Sequence, residues 1–207
     1  MHRRNADFEG TGRSAADDHG RPVVAVFGSS AGRPGEPSYE EARDCGRLLA
    51  EAGYAVATGG YGGTMEACSR GAAEAGARVI GITAPAAFPG RSGANPWVGE
   101  EIPAPTITER IHRILSISAA CITLDGSIGT LTELMVAWNV AFIARLAGGR
   151  EKPVIAVGPS WAALIPYLAK AIATDASLVT LAPDVAQAVA EVCRRAPTPT
   201  RPPAPGN

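Results

Sequence analysis

The run Ala120-Cys-Ile-Thr-Leu124, followed at once by Asp125-Gly-Ser-Ile-Gly-Thr-Leu-Thr-Glu133, decides the fold class of this chain. Its first part is short, apolar and rich in Ile and Thr, as a buried parallel strand should be. A glycine-bearing turn then enters a helix and places a carboxylate one turn inside it. The backbone N–H groups that open a helix have no partner within it and sit at the positive end of its dipole, so a phosphate or carboxylate docks there. Gly126, Ser127, Ile128, Gly129 and Thr130 are therefore the candidate phosphate-binding residues. Glu133 projects close to any anion held by that turn. A carboxylate beside an anion site makes sense if it acts on an uncharged part of the same ligand, such as a sugar hydroxyl or a developing cation.

Working outward, the same grammar recurs. Tyr54 to Thr58 predicts a strand, Gly59-Gly-Tyr-Gly-Gly63 a tight turn, and Thr64 to Ala75 a helix whose small residues (Ala67, Ala72, Ala73, Ala75) allow close approach to a sheet. A third turn, Gly28-Ser29-Ser30, follows the strand Val23 to Phe27. Strand ends carrying glycine or small residues point to one ligand edge, because parallel sheets bind ligands outside the carboxyl ends of their strands. Gly28, Ser29, Ser30, Gly59, Gly60, Gly62, Gly63 and Met65 are the candidate residues of that ligand edge, and would be nucleotide-binding if the ligand is a mononucleotide.

Further strands are expected at Arg78 to Ile82, Pro153 to Val157 and Leu178 to Leu181, alternating with helices. That alternation is the pattern of an α/β, three-layer, doubly wound (Rossmann-like) and mostly parallel sheet with helices on both faces. The first helix opens on Ser38-Tyr-Glu-Glu41, a capping-box spacing, and stops near Ala52-Gly53. Helices follow over Thr106 to Ser118, with Arg110 and Arg113 on its flank, over Thr130 to Leu146, over Trp161 to Ala171 and over Ala182 to Arg194. The Thr130 to Leu146 stripe (Leu131, Leu134, Met135, Trp138, Phe142, Leu146) is wide enough to pack on two sides, against the sheet and against another element or a second subunit. The long connection Thr83 to Pro105 is expected to be functional and to hold the specificity residues.

With 207 residues the chain suits a single domain, expected over 22–195, between a disordered leader (1–21) and a proline-rich disordered tail (196–207). A formal net charge of -1 argues against a broad nucleic-acid or membrane surface. Cys45, Cys68, Cys121 and Cys193 are widely spaced with no CxxC pair, which suggests buried reduced thiols in a cytoplasmic protein. Two of the three histidines, His2 and His19, fall in the polar leader, so no zinc cluster is expected. No signal peptide or membrane span is evident.

Several chemistries fall away. Gly59 to Met65 lacks the spacing of a dinucleotide-binding turn, and no carboxylate ends the next strand. Neither glycine cluster carries the lysine of a Walker turn. There is no GxSxG elbow, and His112 is better suited to a partly buried helix position than to catalysis. No cofactor is called for. Asp125 either caps its turn or touches ligand; Tyr61 either lines a base pocket or fills its turn.

Taken together, Val24-Ala-Val-Phe-Gly-Ser-Ser30, Gly59-Gly-Tyr-Gly-Gly-Thr-Met-Glu-Ala67, Val79-Ile-Gly-Ile82, Thr108-Glu-Arg110 and Gly126-Ser-Ile-Gly-Thr-Leu-Thr-Glu133 resemble the LONELY GUY family. These are cytokinin-activating phosphoribohydrolases of the nucleotide-binding superfamily often labelled "lysine decarboxylase". The likeness runs in order from Pro22 to Val157. It implies hydrolysis of the N-glycosidic bond of a nucleoside 5'-monophosphate, AMP or a cytokinin-type riboside monophosphate, to free base and ribose 5-phosphate. It also implies catalytic residues at Arg110 and Glu133, and a homodimer or larger homo-oligomer built around the helices after the signature turn. Two departures mark a divergent member: family turns begin Pro-Gly-Gly where this chain has Asp125-Gly126-Ser127, and Ile111 stands where a lysine is usual. Divergent relatives include proteins that bind nucleotides or molybdenum cofactor without known hydrolysis, so a non-catalytic carrier is the alternative.

Overall fold

The structure, a computed structural model, describes residues 20–199. The leader expected over 1–21 and the tail expected over 196–207 lie for the most part outside the described residues, as do His2 and His19. Strands β1 (Val23–Phe27), β2 (Ala55–Thr58), β3 (Val79–Thr83), β4 (Glu100–Pro103), β5 (Ala120–Thr123), β6 (Val154–Val157) and β7 (Val179–Ala182) form one seven-stranded sheet in the order β4-β3-β2-β1-β5-β6-β7. Every pairing is parallel.

The central strands β1, β2, β3, β5 and β6 are buried at every position, which is why they read as unbroken Val, Ala and Ile runs without alternation. Helices α1 (Pro37–Glu51), α2 (Thr64–Glu74) and α6 (Val185–Arg195) cover one face through Leu49, Ala67, Ala72, Val189 and Val192. On the other face, α3 (Ile107–Ile117), α4 (Ile128–Leu146) and α5 (Pro159–Ala171) contribute Ile111, Ile114, Leu134, Trp138, Trp161 and Ile165. The result is a Rossmann-like α/β fold. The direction of strand addition reverses between β1 and β5, so their carboxyl ends flank the crevice where such sheets hold ligands.

Four expectations need correction. Strand β4 lies inside the connection read as one long loop, because Glu100-Glu-Ile-Pro103 has neither an apolar run nor a clean alternation. As an edge strand it is half exposed and tolerates Pro103. Helix α1 begins at Pro37, whose ring presets the helical φ, with Glu36 as N-cap and no side-chain cap; Ser38 sits inside the helix and forms no capping box. Among the cysteines, Cys45, Cys68 and Cys121 are buried and free, but Cys193 is exposed on α6. His112 is exposed too, with Ser116 as its neighbour one turn on.

Candidate functional site

Arg110 and Glu133 carry no hydrophobic signal, yet both are buried, at 8% and 7% exposure. Arg110 rises from the middle of α3, where its Nε donates to the Ile82 carbonyl at the end of β3 (2.7 Å). Its Nη1 donates to Glu133 Oε1 on the second turn of α4 (2.9 Å). Among the described residues Glu133 Oε2 has no protein partner. Burial pushes the Glu133 carboxyl above the ordinary value of 4.5, while the adjacent Arg110 charge and hydrogen bond pull it back down. The site thus holds a carboxylate poised between two opposing influences, a condition suited to proton handling or to stabilising a cation.

Room for the guanidinium comes from Gly59. A Cβ there would fall 1.7 Å from Arg110 Nη2 and 2.6 Å from Met65 Sδ, so no larger residue coexists with Arg110 in this position. Nη2 itself lies 3.8 Å from Met65 Sδ.

The pair forms part of the wall of a cavity of about 400 Å³ at the carboxyl ends of β1 and β5. Of the sequence-derived candidates, Gly28, Ser30, Met65, Arg110, Ser127, Ile128, Gly129, Thr130 and Glu133 all line it. Ser127 is the N-cap of α4, and the first intrahelical bond runs from Leu131 N to Ser127 O, so the amides of Ile128, Gly129 and Thr130 precede the helical ladder. Gly126 lies just outside, packed on Thr130, where a Cβ would meet Thr130 Oγ1 at 2.1 Å.

The other glycine turn does different work. At the start of α2, Thr64 N donates to the carbonyls of Ser29 (3.0 Å) and Ala31 (3.2 Å), and Thr64 Oγ1 donates to Ser29 O as well. Gly63, at φ +73°, bends the chain into that contact; a Cβ there would strike Ala31 O at 2.3 Å. Gly60 N donates to Thr58 Oγ1, and the Gly60 carbonyl accepts from Asn95 N (2.7 Å). Ser29, Gly59, Gly60, Gly62 and Gly63 therefore lie behind or beside the cavity and shape it without lining it. Asp125 is exposed, with its carboxylate close to Gly158 across β5 and β6.

Phe88, Arg91, Ile107, Ile111 and Thr132 line the cavity and were not singled out as ligand residues from sequence. Phe88 and Arg91 belong to the β3–β4 connection. Their only signal was the length of that loop, whose Gly and Pro content hid its organisation: Tyr61 Oη accepts from Ala84 N (2.8 Å), and Asn95 Nδ2 donates to the carbonyls of Gly60 (3.1 Å) and Tyr61 (3.0 Å).

Among the described residues no cluster of three or more His, Cys, Asp or Glu side chains could hold an ion. No helix among them is long and apolar enough to cross a membrane.

A doubly wound parallel sheet with a crevice at its switch point defines a Rossmann-like α/β protein. Residues 21–146 match the SLOG cluster4 family. The chain belongs to that family, as a divergent LOG-like member. It is 30% identical over 146 residues to the cytokinin riboside 5'-monophosphate phosphoribohydrolase of Mycobacterium marinum, covering 70% of this chain and 74% of that one. It is also 32% identical over 115 residues to an uncharacterized protein of Archaeoglobus fulgidus, covering 55% of this chain and 72% of the relative. Among solved structures, the molybdenum cofactor binding protein of Rippkaea orientalis shares the fold, with a TM-score of 0.66 at 23% identity over 84% of this chain and 96% of that one. The molybdenum cofactor carrier protein of Chlamydomonas reinhardtii gives a TM-score of 0.63 at 26% identity over 84% and 98%.

Proposed function

We propose that this protein hydrolyses the N-glycosidic bond of a nucleoside 5'-monophosphate, releasing the base and ribose 5-phosphate. The observation that carries the proposal is the buried Arg110–Glu133 pair set in the same cavity wall as the opening turn of α4. In this reading the amides of Ile128, Gly129 and Thr130 hold the phosphate. Glu133 then faces the ribose with Oε2 while Arg110 fixes Oε1. Departure of the base builds positive charge on the sugar, which a fixed carboxylate on a buried side chain stabilises electrostatically. The same carboxylate orients the attacking water, and its raised pKa makes it a competent acceptor of that water's proton. Arg110 keeps the carboxylate ionised and placed; as a guanidinium it does not serve as a proton donor at neutral pH. The Mycobacterium marinum relative supports this activity. The test is release of ribose 5-phosphate from AMP, isopentenyladenosine monophosphate, CMP and GMP, compared between wild type and Glu133→Gln.

A second reading, a carrier that holds a phosphorylated ligand unchanged, is favoured by one feature of the cavity. Ile111 lines it where the family resemblance implies lysine, removing a cation from the site. The likeness to the Chlamydomonas reinhardtii carrier supports it. Calorimetry that finds tight binding of a phosphorylated ligand with no turnover of any of the four nucleotides would select the carrier.

Either activity fits a homodimer in a reducing cytoplasm, given four free cysteines. Helix α4 is apolar on both sides, and its outer side leaves Val136, Val140, Ile143 and Leu146 exposed beside a groove shared with α3. A second copy packing there accounts for that surface. Val140→Lys with Ile143→Glu is expected to give a folded monomer by sedimentation, whereas a monomeric wild type would refute the dimer.

A further inference from the structure

The cavity has a further wall, separate in origin from the α3 and α4 residues to which the proposed function assigns phosphate and ribose. Phe88 and Arg91 line it from the β3–β4 connection, bound into one turn by the Arg91 N to Phe88 O hydrogen bond (3.0 Å). The Arg91 guanidinium carbon lies 4.5 Å from the centroid of the Tyr61 ring and 4.7 Å from that of Phe88, and the two rings meet edge to face at 5.5 Å. Tyr61 is itself anchored through its hydroxyl to the amide of Ala84. Among the described residues no carboxylate pairs with Arg91, although most of the described arginines, Arg110 included, have one. Arg91 also lines a neighbouring polar cavity with Glu66, Ser92 and Asn95, and so stands between the two.

Three physical points narrow what this wall recognises. An aromatic face beside a stacked guanidinium is a platform for a flat heterocycle. When the face of a guanidinium is taken up by rings, its N–H groups remain in its plane as a donor-only fork. Such a fork matches two adjacent acceptors. Guanine and hypoxanthine present O6 beside N7, whereas adenine presents N7 beside an amino donor that opposes the fork.

We propose that Phe88 and Arg91 form the base-recognition wall of the cavity and select nucleotides of 6-oxopurines over those of adenine. The inference rests on the nucleoside monophosphate reading above and narrows its base to guanine or hypoxanthine. Phe88 supplies the stacking surface. Arg91 supplies the discrimination, and Tyr61 holds both in place.

The test uses the intact chain and calorimetric titration with GMP, IMP, AMP and ribose 5-phosphate, with kcat/KM replacing Kd for any nucleotide that is turned over. Wild type is expected to prefer GMP and IMP over AMP by about tenfold or more, the discrimination typical of one bidentate arginine–purine contact. Arg91→Ala, on a partly exposed loop, should keep the melting temperature, erase that preference and leave ribose 5-phosphate affinity unchanged. Phe88→Leu should weaken all three nucleotides together and spare ribose 5-phosphate. The proposal is overturned if wild type prefers AMP, if Arg91→Ala leaves the GMP to AMP ratio as it was, or if that variant loses ribose 5-phosphate to the same degree, which would make Arg91 a phosphate ligand. Normal ribose 5-phosphate binding with an unmoved base ratio sinks this inference alone. Failure of ribose 5-phosphate and of every nucleotide to bind sinks it together with the hydrolase reading.

Discussion

The two glycine turns of this chain look alike in sequence and behave in opposite ways. At Gly59 to Gly63 the opening of α2 is filled by the protein itself: the Ser29 and Ala31 carbonyls take the Thr64 amide, and the empty space at Gly59 is occupied by Arg110. At Gly126 to Gly129 the opening of α4 faces a cavity, and a Cβ on Gly129 would meet nothing within 4 Å. One turn is a socket for the Arg110 side chain; the other opens onto a cavity, where the proposed function places a phosphate. A glycine cluster before a helix therefore announces close approach, but what approaches is set by the neighbouring elements.

The sharpest way to break this contrast is to remove what fills the first socket. Arg110→Met leaves Glu133 buried without its partner, and loss of one member of a buried pair costs about 3–5 kcal/mol. Chemical denaturation should find a loss of that size, with part of it recovered in the Arg110→Met, Glu133→Gln double variant because the stranded charge is gone. Equal stabilities of the single and double variants would mean that the two side chains are not coupled.

Next in size come alanines at the two turns. Gly59→Ala drives a methyl group into the guanidinium and should destabilise by about 1–3 kcal/mol, as overpacking does. Gly129→Ala, on the first turn of α4, should hold or raise stability by about 0.5–1 kcal/mol, as Ala for Gly does in a helix, while weakening ribose 5-phosphate because the methyl stands beside the anion site. Urea midpoints and calorimetry separate the two effects. Reversal of the pattern would exchange the roles assigned to the turns.

The smallest effect concerns pH. Burial raises the Glu133 carboxyl in the folded state, so the folded protein holds that proton more tightly than the unfolded chain. The associated stability is fully present below the unfolded value near 4.5 and is lost as pH rises through the higher folded value. Glu133→Gln cannot ionise and should flatten the stability profile across that window. A profile identical to wild type would show that Glu133 does not titrate there.

Much of this was legible in the residues. Buried parallel strands announce themselves as short Val, Ile and Ala runs, so β1, β2, β3, β5, β6 and β7 were placed to within a residue or two. Strand β4 was not, because an edge strand of two glutamates, an isoleucine and a proline carries no burial pattern. The capping box at Ser38 misled because Pro37 starts the helix first. At the candidate site, the turn and the family likeness single out Arg110 and Glu133, but their mutual bond joins positions 23 apart in sequence that no local pattern links. Phe88, Arg91 and Asn95 escaped because loop order here depends on tertiary hydrogen bonds to Tyr61 and Gly60. The separation of the glycines into those that line the cavity and those that pack behind it likewise needed three dimensions.

The most direct test of the account is a crystal structure with GMP or ribose 5-phosphate bound. The phosphate should sit on the amides of Ile128, Gly129 and Thr130, with a ribose oxygen within hydrogen-bond reach of Glu133 Oε2 and Arg110 still holding Oε1. A phosphate bound elsewhere, or Glu133 turned away from the sugar, would contradict it.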